Sequence, residues 1–222
     1  MLQKLQKLGE KLVKCNLNCE GINNDPTQGI IPRCLLSENR KGKKKCIIVG
    51  LNPGKCKKSE REYYRRNGIK YASVQRYFSE SKLHNRAYFA RTRNLISQLG
   101  FDGDILWTDL AKCECLGKNG KLPAQTLRVC INKFLKNEIE LFKGSTIFAL
   151  GNVAFNFCAL RFPEYFIVGI PHPSSYGNFD KLKKKISTKR SYFIKNLSKQ
   201  KDKNNNYRAI RLSDIQTRHK LN

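Results

Sequence analysis

The chain has 222 residues, enough to bury a sizeable core in one domain, and carries 44 Lys and Arg against 17 Asp and Glu. That formal charge of +27 repels itself in a compact state, attracts polyanions and points to nucleic acid as the partner. No apolar stretch approaches a membrane span, and Met1-Leu2-Gln3-Lys4-Leu5-Gln6-Lys7-Leu8 lacks a signal peptide's apolar segment, so a cytoplasmic or nuclear protein is expected, with its nine cysteines reduced or metal-bound.

Taken in chain order, residues 1–14 read as a helix, with Leu2, Leu5, Leu8 and Leu12 near one face. Residues 15–45 read as irregular, because Asn23-Asn24-Asp25-Pro26 and Gly29 punctuate them, and the basic run Arg40-Lys41-Gly42-Lys43-Lys44-Lys45 closes the segment. A buried strand is expected at 46–50. Ser59-Glu60-Arg61-Glu62 has the form of a capping box, which predicts a helix beginning there. Residues 85–99 read as helical, and 104–108 as a second buried strand. Pro123 stands where a first helical residue would, ahead of a periodic stretch to about Phe142. Further strands are expected at 145–150 and 165–170, with a helix opening at Gly151 between them. Residues 181–222 hold fourteen Lys and Arg and two acids. Their first part reads as a basic helix and the remainder, including Asn204-Asn205-Asn206, as flexible. Strands alternating with helices imply an α/β fold, a three-layer αβα sandwich around a central four-stranded parallel sheet. The expected division is a domain over 1–198 and a basic tail over 199–222.

Two strings at strand ends carry the chemistry. Gly50-Leu51-Asn52-Pro53-Gly54 follows Cys46-Ile47-Ile48-Val49, and His172-Pro173-Ser174-Ser175 follows Tyr165-Phe166-Ile167-Val168-Gly169-Ile170. Open α/β sheets build sites at the carboxyl ends of strands. Taken singly, Asn52-Pro53-Gly54 reads as an ordinary turn and a His before Pro as a turn residue; the pair points to a site. Thr108-Asp109-Leu110-Ala111-Lys112-Cys113 and Phe148-Ala149-Leu150-Gly151-Asn152-Val153-Ala154 lie between them.

These four strings, in this order, resemble the uracil-DNA glycosylase superfamily over roughly residues 15–198. Thr108 to Cys113 is similar to the Thr-Asn-x-x-Lys-Cys segment of its iron–sulfur branch. That branch usually has Glu in the first motif, whereas this chain has Asn52, as some other branches do. The resemblance implies a monomeric DNA-repair glycosylase that hydrolyses the N-glycosidic bond of uracil or another deaminated or damaged base, swung out of single- or double-stranded DNA. Within the first motif, Gly50 and Leu51 would adjoin the substrate and Asn52 would orient water; an amide does this without acting as a strong base. His172 would donate to the base oxygen where negative charge develops. Ser174 and Ser175 would bind phosphate oxygens, and Tyr176 or Phe179 would wedge into the stack. Tyr64 lies where the family places an aromatic that stacks on the base, with Tyr63 and Tyr71 as rivals.

Asp109 departs from the family's Asn, whose amide reads uracil. An ionised carboxylate only accepts, so it repels uracil O4 and suits an amino group such as cytosine N4, which implies altered base choice. Protonated by burial, it could still donate. Alternatively, it is a solvated or helix-capping aspartate.

The resemblance also implies a [4Fe–4S] cluster on Cys15, Cys19, Cys113 and Cys130, with zinc as the alternative, since four thiolates suit either. The family's first pair is normally spaced by two residues; here the spacing is three, and Cys34 or Cys115 could substitute. Cys46 and Cys158 read as core residues and Cys56 as a loop thiol. A catalytically silent nucleic-acid-binding protein of the same fold, and a basic zinc protein with chance motif matches, are the competing readings.

Overall fold

The computed structural model describes residues 2–80, 83–117, 121–202 and 209–215. Helix α1 (Leu2–Val13) buries Leu5, Leu12 and Val13 and leaves Leu2 exposed. Gly9 lies on the same buried side because it meets Tyr71 there: a Cβ at Gly9 would sit 2.2 Å from the Tyr71 ring. The segment expected to be irregular holds β1 (Ile22–Asn23), a 3-10 turn at Pro26–Gln28 capped by the Asp25 carboxylate, and β2 (Leu35–Glu38). Then follow β3 (Cys46–Gly50), α2 (Lys58–Asn67), α3 (Tyr71–Glu80), α4 (Ala87–Gln98) and β4 (Ile105–Asp109). Next come β5 (Glu114–Cys115), α5 (Ala124–Cys130), a π-helical turn at Ile131–Leu135 and α6 (Lys136–Glu140). The remaining elements are β6 (Thr146–Leu150), α7 (Gly151–Arg161), β7 (Ile167–Ile170), α8 (Tyr176–Thr188), α9 (Arg190–Asp202) and β8 (Ala209–Arg211).

The main sheet has six strands in the order β2-β4-β3-β6-β7-β8, and β1 pairs with β5 in a separate two-stranded ribbon. Every residue of β3, β4, β6 and β7 is buried, as in a parallel sheet covered on both faces. These are the four expected strands, and they form the αβα sandwich read from the sequence. Two edge strands correct the count. Strand β2 runs antiparallel to β4, and β8 runs parallel to β7. Each is three or four residues long and only partly buried, too short and too mixed to stand out as a run.

The expected flexible tail is corrected on the same ground. Helix α9 continues to Asp202, and residues 209–211 join the sheet, with Leu212 and Ile215 buried behind them. Asn204-Asn205-Asn206 lies outside the described residues. The capping box does not form either: α2 starts at Lys58, with Lys57 at its N-cap and no side-chain cap, so Ser59 lies inside the helix. Pro123 is the N-cap rather than the first helical residue of α5. The basic helix begins earlier than expected and is two helices, α8 and α9.

Strand β3 connects outward to β4 on one side, whereas β6, on its other side, continues to β7. The direction of winding therefore reverses beside β3. In open α/β sheets the crevice at such a reversal, beyond the carboxyl ends of the strands, is where ligands bind.

Candidate active site

A pocket of about 490 Å³ opens at that crevice, a size that suits a small ligand. Asn52 reaches it from the turn after β3, Asp109 from the end of β4 and His172 from the turn after β7. The sequence thus brings these three expected residues to one cavity, together with Tyr64.

Asn52 donates from Nδ2 to the carbonyl of Pro53 at 3.0 Å. That bond fixes the amide and leaves Oδ1 to accept. The turn carrying it is held from below by a buried ionic group. The Arg33 guanidinium donates to the carbonyl of Gly54, its Nε lies 3.1 Å from Glu60, and its Nη2 lies 3.4 Å from Glu114. Glu114 in turn accepts from the backbone N–H of Cys56 at 2.5 Å. Cys56, expected as a loop thiol, is buried in this arrangement.

Asp109 is 2 % exposed. In the β3–β4 register it lies opposite Gly50, where a Cβ would come within 2.2 Å of Asp109 Oδ1 and 2.9 Å of the Tyr88 hydroxyl. Gly50 therefore makes room for the carboxylate; it does not itself line the pocket. Leu51 has a similar bracing part, its carbonyl accepting from Ala111 N–H at 2.9 Å. Burial pushes the Asp109 carboxyl up to about 6, against the hydrogen bond from the Cys34 thiol and the charge of Lys112, which pull it down. Asp109 is neither a solvated residue nor a helix cap, which removes the alternative reading of it.

His172 is fixed by its own motif. Ser174 places its hydroxyl 2.6 Å from Nδ1 and donates its backbone N–H to the same nitrogen at 3.3 Å. With Nδ1 accepting, the proton of the neutral ring belongs on Nε2. Burial lowers the imidazole's pKa, which favours that neutral form. The ring tilts against Tyr88, with centroids 5.6 Å apart. Arg91 of α4 braces the same turn, donating to the carbonyl of Pro173 at 2.7 Å and to Asp180 at 2.6 Å.

The expected aromatic and serine positions separate. Tyr64 lines the pocket but is 1 % exposed, donates its hydroxyl to Glu60 at 3.1 Å and packs edge-on against Tyr63 and Tyr77. Tyr71 packs on α1 instead. Tyr88 and Phe89 line the pocket as well. Phe179 is fully buried and cannot wedge into DNA; Arg91 stacks on it at 4.8 Å and on Tyr176 at 4.3 Å. Tyr176 is 63 % exposed. Ser174, Ser175 and Tyr176 lie outside the pocket lining; Ser175 stands at the N-cap position of α8 without a side-chain cap bond and lines a neighbouring groove. Arg33, Cys34, Tyr88 and Phe89 are pocket residues that the sequence reading did not assign. The aromatic pair on the helix expected at 85–99 was the available signal; Cys34, half-buried at positive φ in a segment without pattern, offered none.

Cys15, Cys19, Cys113 and Cys130 line one small hollow below the β1–β5 ribbon. Burial pushes Cys113 up to about 12 and Cys130 up to about 11, and the fields of the neighbouring cysteines add to both. Lys133 lies 3.7 Å from the Cys15 sulfur. Cys34 and Cys115 line the pocket that holds Asn52, Asp109 and His172, and not this hollow. Among the described residues no group of three or more His, Cys, Asp or Glu is set to hold a single metal ion. Four thiolates suit an iron–sulfur cluster or zinc, and these four residues are the ones that would hold such a group.

Among the described residues no helix is long and apolar enough to cross a membrane. A model of the uracil DNA glycosylase superfamily matches residues 38–197. No curated protein matches the chain.

Proposed function

We propose a base-releasing activity from the premise that the chain belongs to the uracil-DNA glycosylase superfamily. Membership supports a glycosylase-type hydrolase that acts on DNA. Water held by the accepting Oδ1 of Asn52 attacks the anomeric carbon of deoxyribose as the bond from that carbon to the base nitrogen breaks. The base departs with the bonding electron pair, and His172 Nε2–H donates to the oxygen where that charge collects. The sugar ends with a hydroxyl, and the water's second proton goes to solvent. Asp109, ionised above about pH 6, accepts from an N–H on the base edge. That shifts choice away from uracil, whose O4 a carboxylate repels, toward a damaged base that presents an N–H at that position.

The observation that carries this reading is the meeting of Asn52, Asp109 and His172 in one pocket at the ends of three strands. Oligonucleotides containing uracil, hypoxanthine or xanthine test it. At least one base is expected to be released, with a loss of about 100-fold or more in Asn52→Ala and His172→Ala, the scale of losing one preorganised stabiliser. Release at parental rate in both variants would overturn the assignment. Binding without release of any base would favour the catalytically silent reading.

The four cysteines of the small hollow are proposed to hold a [4Fe–4S] cluster. Its contribution would be structural: bound thiolates join the segment after α1 to the loop after β4 and the end of α5.

A further inference from the structure

Tyr88 stands in the first turn of α4 and lines the pocket with Asp109 and His172. Its ring tilts against His172 at 5.6 Å and against Trp107 of β4 at 6.4 Å, which holds the side chain in place. The Tyr88 hydroxyl and Asp109 Oδ1 lie 2.9 Å and 2.2 Å from one point, the place that a Cβ on Gly50 would occupy. A side chain at residue 50 would fill the space the two groups share, and glycine leaves it open.

Among the described residues the Tyr88 hydroxyl makes no hydrogen bond, yet it is not sealed in the core. Burial and the neighbouring Asp109 carboxylate hold the phenol well above its usual range, so it keeps its proton. An ionised carboxylate only accepts, whereas a protonated phenol can donate. Side by side, the two groups offer the acceptor and the donor that a single Asn amide combines.

We propose that Tyr88 is a specificity-determining residue, its hydroxyl supplying the donor that Asp109 lacks, and that the couple reads the lactam edge of a deaminated adenine, hypoxanthine. The proposal rests on the pocket being the base site and names the base that site would take. Asp109 accepts from the ring N–H of hypoxanthine, and Tyr88 donates to the carbonyl beside it. With the Cys34 thiol also donating to the carboxylate, a base edge with one N–H satisfies it. In hypoxanthine that N–H has a carbonyl on one side and a bare C–H on the other. In uracil it stands between two carbonyls, so with Tyr88 on one of them the carboxylate faces the other and is repelled. Leu36, Val74, Leu83 and Phe89 line the pocket as well and give apolar surface for the second ring of a purine.

Fluorescein-labelled oligonucleotides with a 2′-fluoro sugar at the target, which resists cleavage, read the couple apart from catalysis. Affinity is measured by anisotropy for hypoxanthine, for uracil and for a tetrahydrofuran abasic site. The parental protein is expected to bind the hypoxanthine site about 10-fold or more tightly than the uracil site. Tyr88→Phe, which keeps the ring on His172 and Trp107, is expected to weaken binding of the hypoxanthine site roughly 10-fold, the scale of one hydrogen bond, and to leave the abasic site at parental affinity. In an Asp109→Asn background, where the amide brings its own donor, Tyr88→Phe is expected to cost less than about 3-fold. Parental affinity for hypoxanthine in Tyr88→Phe, an equal loss at the abasic site, or uracil bound as tightly as hypoxanthine by the parental protein would overturn the proposal. If the expected pattern appears but no base is released from a natural sugar, the couple stands and the catalytic reading fails. If bases are released while Tyr88→Phe binds as the parent does, the couple alone fails.

Discussion

A single carboxylate sets much of the pocket's character. Asp109 is buried beside Gly50, the Cys34 thiol and Tyr88, and its carboxyl is raised from 3.8 to about 6. Between those values the folded protein binds more protons than the unfolded chain, so its contribution to stability falls as pH rises from about 4 to about 6 and is level above. Asp109→Asn removes the titration. Its stability is expected to lose that falling segment, read from denaturant midpoints measured across the interval. The same substitution restores the amide that the family uses to read uracil, so preference among uracil, hypoxanthine and xanthine is expected to move toward uracil. An unchanged preference would remove Asp109 from base selection. His172 follows the opposite rule. Its folded pKa is lowered, so the stability of the neutral ring is present at neutral pH and is lost as pH falls below the ordinary histidine value of 6.5.

At the scale of elements, β4 and the helical rod from α5 to α6 are fastened by one buried pair. Lys112 Nζ donates to Glu138 at 2.6 Å, to the carbonyl of Asp109 at 2.6 Å and to the Thr108 hydroxyl, and Thr108 also donates to Glu138 at 2.5 Å. Both charged residues are almost fully enclosed. The Lys of the Thr-x-x-x-Lys-Cys string thus acts inside the protein, holding the floor on which Asp109 stands. Removing one partner strands the other, so Glu138→Ala is expected to cost about 3–5 kcal/mol in urea unfolding, with the double variant Lys112→Met, Glu138→Leu recovering part of it. The sequence made this architecture legible where burial is two-sided. Residues 46–49 and 147–150 are continuous apolar runs because helices cover both sheet faces. It was silent where an element is short and one-sided, as at Leu35–Glu38 and Ala209–Arg211. It misled at Ser59, whose capping pattern was satisfied by composition but not by position. Asn52 and His172 could be read because strand ends are marked by the apolar runs before them. Arg33 and Cys34 could not, since they reach the pocket from a segment whose path depends on contacts distant in sequence.

For the molecule as a whole, two kinds of long-range tie matter. The first is the cysteine hollow, which joins residues 15–19 to residues 113–130. With the proposed cluster bound, closing so long a loop through thiolates would stabilise the folded state against an otherwise free chain. Protein purified without oxygen is expected to carry iron and acid-labile sulfide with visible absorption, and chelation or Cys113→Ser is expected to lower its melting temperature. Zinc found in stoichiometric amount instead would give the hollow to the other metal. The second is electrostatic: with a formal charge of +27, affinity for DNA is expected to fall steeply as salt rises, read from binding isotherms at several ionic strengths.

The sixth strand has a consequence of another kind. Strand β7 is fully buried and apolar, and β8 is what covers its outer row of amide and carbonyl groups. A chain trimmed back to the family boundary would lose that cover and present Ile167 to Ile170 as an open template. Another copy could then zip onto it, since unguarded edges of this kind recruit extended segments. The short closing strand is therefore also a guard against self-assembly, and shortened versions of this protein inherit the hazard it suppresses.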